Sequence, residues 1–89
     1  MTSVPTASTP YAFSVGGHAL DVYASLPDAM QRLLDEAFNS LEWDPIPVDV
    51  LALDPDAHVY AVRRSGTWIV YEVDEMERAL VAWALVLAP

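Results

Sequence analysis

The feature that most constrains this chain is its last third. Three strand-length apolar runs, His58 to Arg63, Thr67 to Val73 and Ala79 to Leu87, are separated only by Arg64-Ser65-Gly66 and Asp74-Glu75-Met76-Glu77. Connections that short leave no room for a crossover, so successive runs must lie antiparallel as a three-stranded meander. The last run adds a demand of its own. Leu80, Ala82, Ala84 and Val86 are apolar at one parity, and Val81, Trp83, Leu85 and Leu87 at the other. A strand apolar on both sides calls for cover on both faces of its sheet.

One face has an obvious cover. Leu26, Met30, Leu33, Leu34, Ala37, Phe38 and Leu41 fall on a single stripe of a 3.6-residue period, with Asp28, Gln31, Arg32, Asp35, Glu36 and Asn39 opposite. Ser25 followed by Asp28 is read as a capping box with a shortened acid, and Pro27 suits a first turn. Asp28 and Arg32 are spaced for an i,i+4 ion pair, and Asp44-Pro45 stops the helix. Ahead of it, Tyr11 to Val15 alternates as a strand, Gly16-Gly17 turns, and His18 to Ser25 forms a short helix. Trp43 to Asp56, broken by prolines, is a loop or edge segment pinned by Val48, Val50, Leu51 and Leu53. The other face of the meander is left for a partner, a second copy or a folded-back tail. The fold class expected is α+β: an N-terminal strand, one or two helices, then the antiparallel meander. At 89 residues this is one domain over 11–89, with a flexible N-terminal leader over 1–10.

Charge narrows the partners. Thirteen acids against four bases, all arginine, give a formal net charge of −9. Nucleic-acid affinity rests on Lys and Arg displacing counterions from phosphates, so RNA and DNA are disfavoured and a basic protein surface is favoured. With no cysteine, thiolate metal sites and disulfides are excluded, which fits a reducing cytoplasm. No basic, apolar secretory signal opens the chain, and the apolar run near its end is about half the ~20 residues of a membrane helix. His18 and His58 hold no ligand spacing with Asp54 or Asp56, so neither a metal nor another cofactor is expected. Asp54-Pro55-Asp56 reads as a turn rather than a catalytic carboxylate pair. Asp74 to Glu77 reads as a solvated tip, with a second reading as an attractor of basic groups. Gly16-Gly17 lacks the sequel of a phosphate loop. Tyr60 and Tyr71 read as packing residues.

Three phrases, in this order and spacing, resemble the RelE/ParE toxin superfamily of type II toxin–antitoxin systems. They are Leu26-Pro27-Asp28 opening the helix, Leu41-Glu42-Trp43-Asp44-Pro45 closing it, and Val62 to Asp74 across the hairpin. The resemblance spans about Tyr11 to Leu87. It implies a bacterial toxin with a protein antitoxin and, in the ParE branch, DNA gyrase as a target. In the ribonuclease branch it implies basic groups on one sheet face. This chain departs there. Trp68 stands where that branch keeps an arginine, Val59 and Ala61 where lysines are common, and no basic or His/Tyr ending follows the last strand. Cleavage through a 2′-hydroxyl needs a proton acceptor and positive charge on the transition state, and losing one stabiliser costs roughly 10²–10³ in rate.

Arg63 and Arg64 remain as weak catalytic candidates, flanking a turn. Strand parity puts Trp68, Val70 and Glu72 on one face. These three, with Trp83, form the expected partner-binding set, because aromatics dominate interface hot spots. For Trp68, filling a core gap is an equal alternative. The function expected is a toxin-like protein that binds protein rather than cutting RNA. Its alternatives are a ribosome-dependent mRNA endoribonuclease and a non-toxic interaction module, including a homodimer.

Overall fold

A computed structural model describes residues 9–87. The order of elements is β1 (Ala12–Val15), α1 (Gly17–Ala24), α2 (Asp28–Trp43), β2 (Leu51–Asp54), β3 (Val59–Arg64), β4 (Thr67–Asp74) and β5 (Ala79–Leu87). The α+β expectation and the antiparallel β3–β4–β5 meander hold. The sheet is larger than expected, however, with five strands in the order β1-β5-β4-β3-β2. β1 runs parallel to β5, Phe13 beside Leu80: the helices lead into β2, which runs opposite to β1, and the β2–β3 hairpin turns the chain back into β1's direction. The Trp43 to Asp56 segment contributes the other edge strand, β2. Its Leu51 and Leu53 are about half exposed and Val48 is fully so, which corrects the expectation that they pin it. Val50 does pack on the core, and the Tyr71 hydroxyl anchors the segment by donating to the Pro45 carbonyl at 2.7 Å.

Both helices lie on one side of the sheet. Ala19 of α1 and Leu34, Ala37, Phe38 and Leu41 of α2 bury against Val62, Ile69, Tyr71, Val73, Leu80, Ala82 and Leu85. Phe13 stacks on Phe38 with ring centres 4.4 Å apart. The Tyr23 hydroxyl donates to Asp35 at 2.7 Å, and Gln31 donates its amide to the Tyr23 carbonyl at 2.9 Å, fixing α1 against α2. The expected capping box is absent. Ser25 ends α1 and donates its hydroxyl to the Val22 carbonyl, while the N-cap of α2 is Pro27, which has no side chain to offer. The Asp28–Arg32 pair is not formed either, as expected of a solvated pair worth only a few tenths of a kcal/mol. Of the leader, residues 1–8 lie outside the described residues. Thr9 accepts a 2.6 Å hydrogen bond from Arg78, whose guanidinium sits over the Tyr11 ring.

Turn chemistry sets the register. Ser65 and Gly66 both have positive φ, 53° and 74°, the backbone of a tight two-residue hairpin matched to the twist of its strands. The β2–β3 and β4–β5 loops share another solution. Asp54 accepts from the amide of Ala57 and Asp74 from that of Glu77, and each loop then passes through a positive-φ residue, His58 or Arg78. The Asp54-Pro55-Asp56 carboxylates therefore sit in a turn.

The two-sided apolarity of β5 has a structural cause that parity concealed. Val70 pairs with Ala84 but Tyr71 with Ala82, so Trp83 is one residue too many on β5. This β-bulge shifts the alternation. Leu80, Ala82 and Leu85 are buried on the helix side, leaving Val81, Trp83, Ala84 and Val86 on the other. Part of the demand for cover on both faces thus disappears.

Candidate interaction face

The face turned away from the helices is covered by no described element. β3 supplies Val59, Ala61 and Arg63, paired in register with Glu72, Val70 and Trp68 of β4. Across β4, Trp68 pairs with Val86, Val70 with Ala84 and Glu72 with Val81 of β5. The alternation of β4 leaves no doubt of its sides. Thr67, Ile69, Tyr71 and Val73 are buried under the helices, and Trp68, Val70 and Glu72 are half-buried opposite them. Trp83 and Val86 are each about half exposed.

Trp83 organises the middle of this face. Its indole N–H donates to the Glu72 carboxylate at 3.1 Å, and its ring edge lies against Gly16, where a Cβ would meet it at 3.5 Å. The indole therefore spans from the end of β1 towards β4. The four residues expected to bind a partner, Trp68, Val70, Glu72 and Trp83, share one surface. Sequence parity grouped Trp83 with Leu85 and Leu87 and Ala84 with Leu80. The expected set left out Val81, and parity could not place Ala84 and Val86 beside Trp83 because the bulge shifts the alternation after it.

The two catalytic candidates are separated. Arg63 is exposed on the open face beside Trp68. Arg64 points to the helix side, where its Nη1 and Nη2 donate to the two carboxylate oxygens of Asp49 at 2.8 and 3.1 Å. That pairing holds the Asp49 carboxyl below its ordinary value. Val59, Ala61 and Trp68, which stand where basic groups were expected in a ribonuclease, all lie on the open face with Arg63. Among the described residues, Arg63 is the one cation on this face.

At the end of the face remote from Arg63, the loops carry acids. His58, Glu72, Val73, Asp74, Glu75 and Met76 line an open depression of about 510 Å³. Among the described residues, no three His, Asp or Glu side chains are grouped to hold a metal ion, and none of the described helices is long and apolar enough to cross a membrane. A groove of about 400 Å³ between β1 and α2 has Asp35, Asn39 and Glu42 on its wall. Glu42 uses its carboxylate and carbonyl to take the outward amides of Phe13 and Tyr11, which blunts that edge of the sheet.

This fold is shared with solved structures. The archaeal RelE–RelB complex from Pyrococcus horikoshii OT3 matches with a TM-score of 0.77 at 23% identity, over 88% of this chain and 94% of that one. The chain has the fold of the RelE toxins. The RelBE2 toxin–antitoxin complex of Mycobacterium tuberculosis matches with a TM-score of 0.74 at 20% identity, over 89% of this chain and 92% of that one. The isolated RelE toxin of E. coli gives 0.74 at 20% identity, over 89% and 85%. No family model and no curated protein matches the chain. The RelE fold is thus built here on a sequence whose open face is largely apolar.

Proposed function

We propose that this chain is a toxin-like protein of the RelE fold, the toxin-side member of a type II toxin–antitoxin pair, and that it acts in the cytoplasm by binding protein rather than by cleaving RNA. The observation that carries the reading is the composition of the open face: Val59, Ala61, Trp68, Val70, Trp83 and Val86 with a single described cation, Arg63. RNA cleavage needs a proton acceptor and several positive groups around one phosphate, and this surface offers one guanidinium. A face centred on tryptophan and rimmed by charge has instead the make-up of a protein contact. The partner favoured is a protein antitoxin or other basic protein. The structural neighbours include RelE–RelB complexes, and a net charge of −9 attracts basic surfaces.

Tightly induced expression in a bacterial host, with growth followed and transcripts mapped, tests the reading. Growth arrest with uncut transcripts is expected, and arrest relieved by Trp68→Ala or Trp83→Ala places the activity on the open face. Transcripts cut during induction, with cutting lost in Arg63→Ala, would establish the ribonuclease instead; the position of Arg63 on the open face is what keeps that alternative alive. Unimpeded growth would point to a non-toxic interaction module.

A further inference from the structure

We propose that the open face is self-complementary and that the free protein pairs through it, face to face, as a two-fold dimer. The charge pattern selects a second copy as the occupant. The face carries one cation at one end, Arg63 beside Trp68, and acid at the other, Glu72 beside Val59 with Asp54 paired to Val59 on its far side, and apolar side chains between. Trp68 and Glu72 are four residues apart on β4, about 13 Å at strand rise. A two-fold axis lying between two such faces, across the strands at the level of Ala61, Val70 and Ala84, exchanges the ends. Arg63 of each protomer then faces Val59 of the other, one strand spacing from that protomer's Glu72 and within a guanidinium's reach of it, twice over, as an isologous contact requires.

The same operation brings the apolar groups together. Trp83 sits at the bulge between the Val70 and Tyr71 levels, hence close to the axis, so the two indoles meet there. Val70, Ala84 and Val81 pack around them, with Trp68 and Val86 towards the ends. Sheets packed this way lie about 10 Å apart, a gap that side chains of this size fill.

Self-repulsion is the strongest objection, since each chain carries −9. The geometry answers it. Asp54, Asp56, Asp74, Glu75 and Glu77 all lie in the two hairpin loops or at the strand ends entering them, at the Glu72 end, and the two-fold sends the two sets to opposite ends of the dimer. The face is small, roughly 450 Å² in projection at strand spacing. Its total burial therefore falls near the lower limit for specific interfaces, which predicts reversible, concentration-dependent pairing. This goes beyond the proposed function and adds a consequence to it: a protein partner using this face must first displace the second copy.

Sedimentation equilibrium across a wide concentration range, with circular dichroism to confirm folding, is the test. Wild-type protein is expected to dimerise, and Trp83→Ala to weaken pairing at least about tenfold. Arg63→Glu and Glu72→Arg should each be monomeric, with dissociation constants raised at least about tenfold. Mixed, those two variants should recover a dimer, because both cross-face pairs are then opposite in charge. A wild-type monomer at the highest concentration overturns the proposal and leaves the protein-binding reading to its own growth test. A dimer indifferent to all three substitutions, or a mixture that fails to recover, overturns it too.

Discussion

Thr67 begins β4 fully buried, with its hydroxyl oxygen finding no hydrogen-bond partner. A buried hydroxyl left unpaired costs about 1–3 kcal/mol, and valine keeps the branched shape while removing the polar atom. Thr67→Val should therefore stabilise the protein by about 1 kcal/mol, read as a higher urea midpoint at unchanged slope. A loss of stability would show that the hydroxyl is satisfied in solution. Tyr71 presents the opposite case, a buried phenol whose hydroxyl is used. Removing it in Tyr71→Phe leaves the Pro45 carbonyl without its donor and should cost about 1 kcal/mol. Burial also pushes the Tyr71 phenol well above its ordinary value, so the folded state holds it neutral where the unfolded chain would ionise. With the folded value raised, that contribution is fully present below the unfolded value of about 10 and is lost as pH rises from there through the folded value. Stability against urea measured from pH 9 to 11 should fall for the wild type and fall less steeply for Tyr71→Phe. Sequence parity placed Tyr71 in the core; its tie to Pro45 was invisible because it joins positions 26 residues apart.

Elements divide by how local their causes are. The β3–β4 hairpin was legible because Ser65-Gly66 carries its geometry in two adjacent residues, and α2 because its stripe repeats over sixteen. Gly66 at φ 74° lies where a Cβ is strained, so Gly66→Ala should destabilise by about 1 kcal/mol although space around it is open. Thermal unfolding would show this as a lower midpoint, and an unchanged one would mean the turn adapts. β1 was legible as a strand but not in its pairing, and β2 only as a loop or edge segment. β1 is parallel to β5 only because the helices lead into β2, opposite in direction, and the β2–β3 hairpin turns the chain back. β2 is a four-residue strand with every residue exposed, which shows no alternation to detect. The bulge at Trp83 is subtler still. Its sequence trace is β5's apolarity at both parities, which equally describes a strand covered on both faces. Trp68, Val70 and Glu72 were assigned to one face correctly because β4 alternates without interruption. Ala84 and Val86 joined that face only through the register shift, and Arg64 was read as a turn residue when it ends β3.

At the scale of the whole molecule, charge is the dominant unbalanced quantity. Thirteen acids and four arginines leave −9, and among the described residues the one ion pair is Arg64 with Asp49. Where attractive pairs are that few, screening removes more repulsion than attraction. The Debye length falls from about 30 Å at 0.01 M to about 3 Å at 1 M, so salt acts across a molecule of this size. Urea midpoints should rise steadily with sodium chloride over that range, measured on Arg63→Glu at low concentration so that self-association does not enter. The Asp49 contribution opposes this trend weakly, being solvent-exposed and itself screened. It is separable by pH: a depressed carboxylate stabilises above its unfolded value and loses that contribution as pH falls through its lower folded value. Asp49→Asn should abolish that acid-side component while leaving the salt response intact. Were stability to fall with salt instead, attractive pairs beyond Arg64–Asp49 would have to dominate. The acidic loops around Asp54 and Asp74 would then be engaged with arginines rather than left free to draw a basic partner.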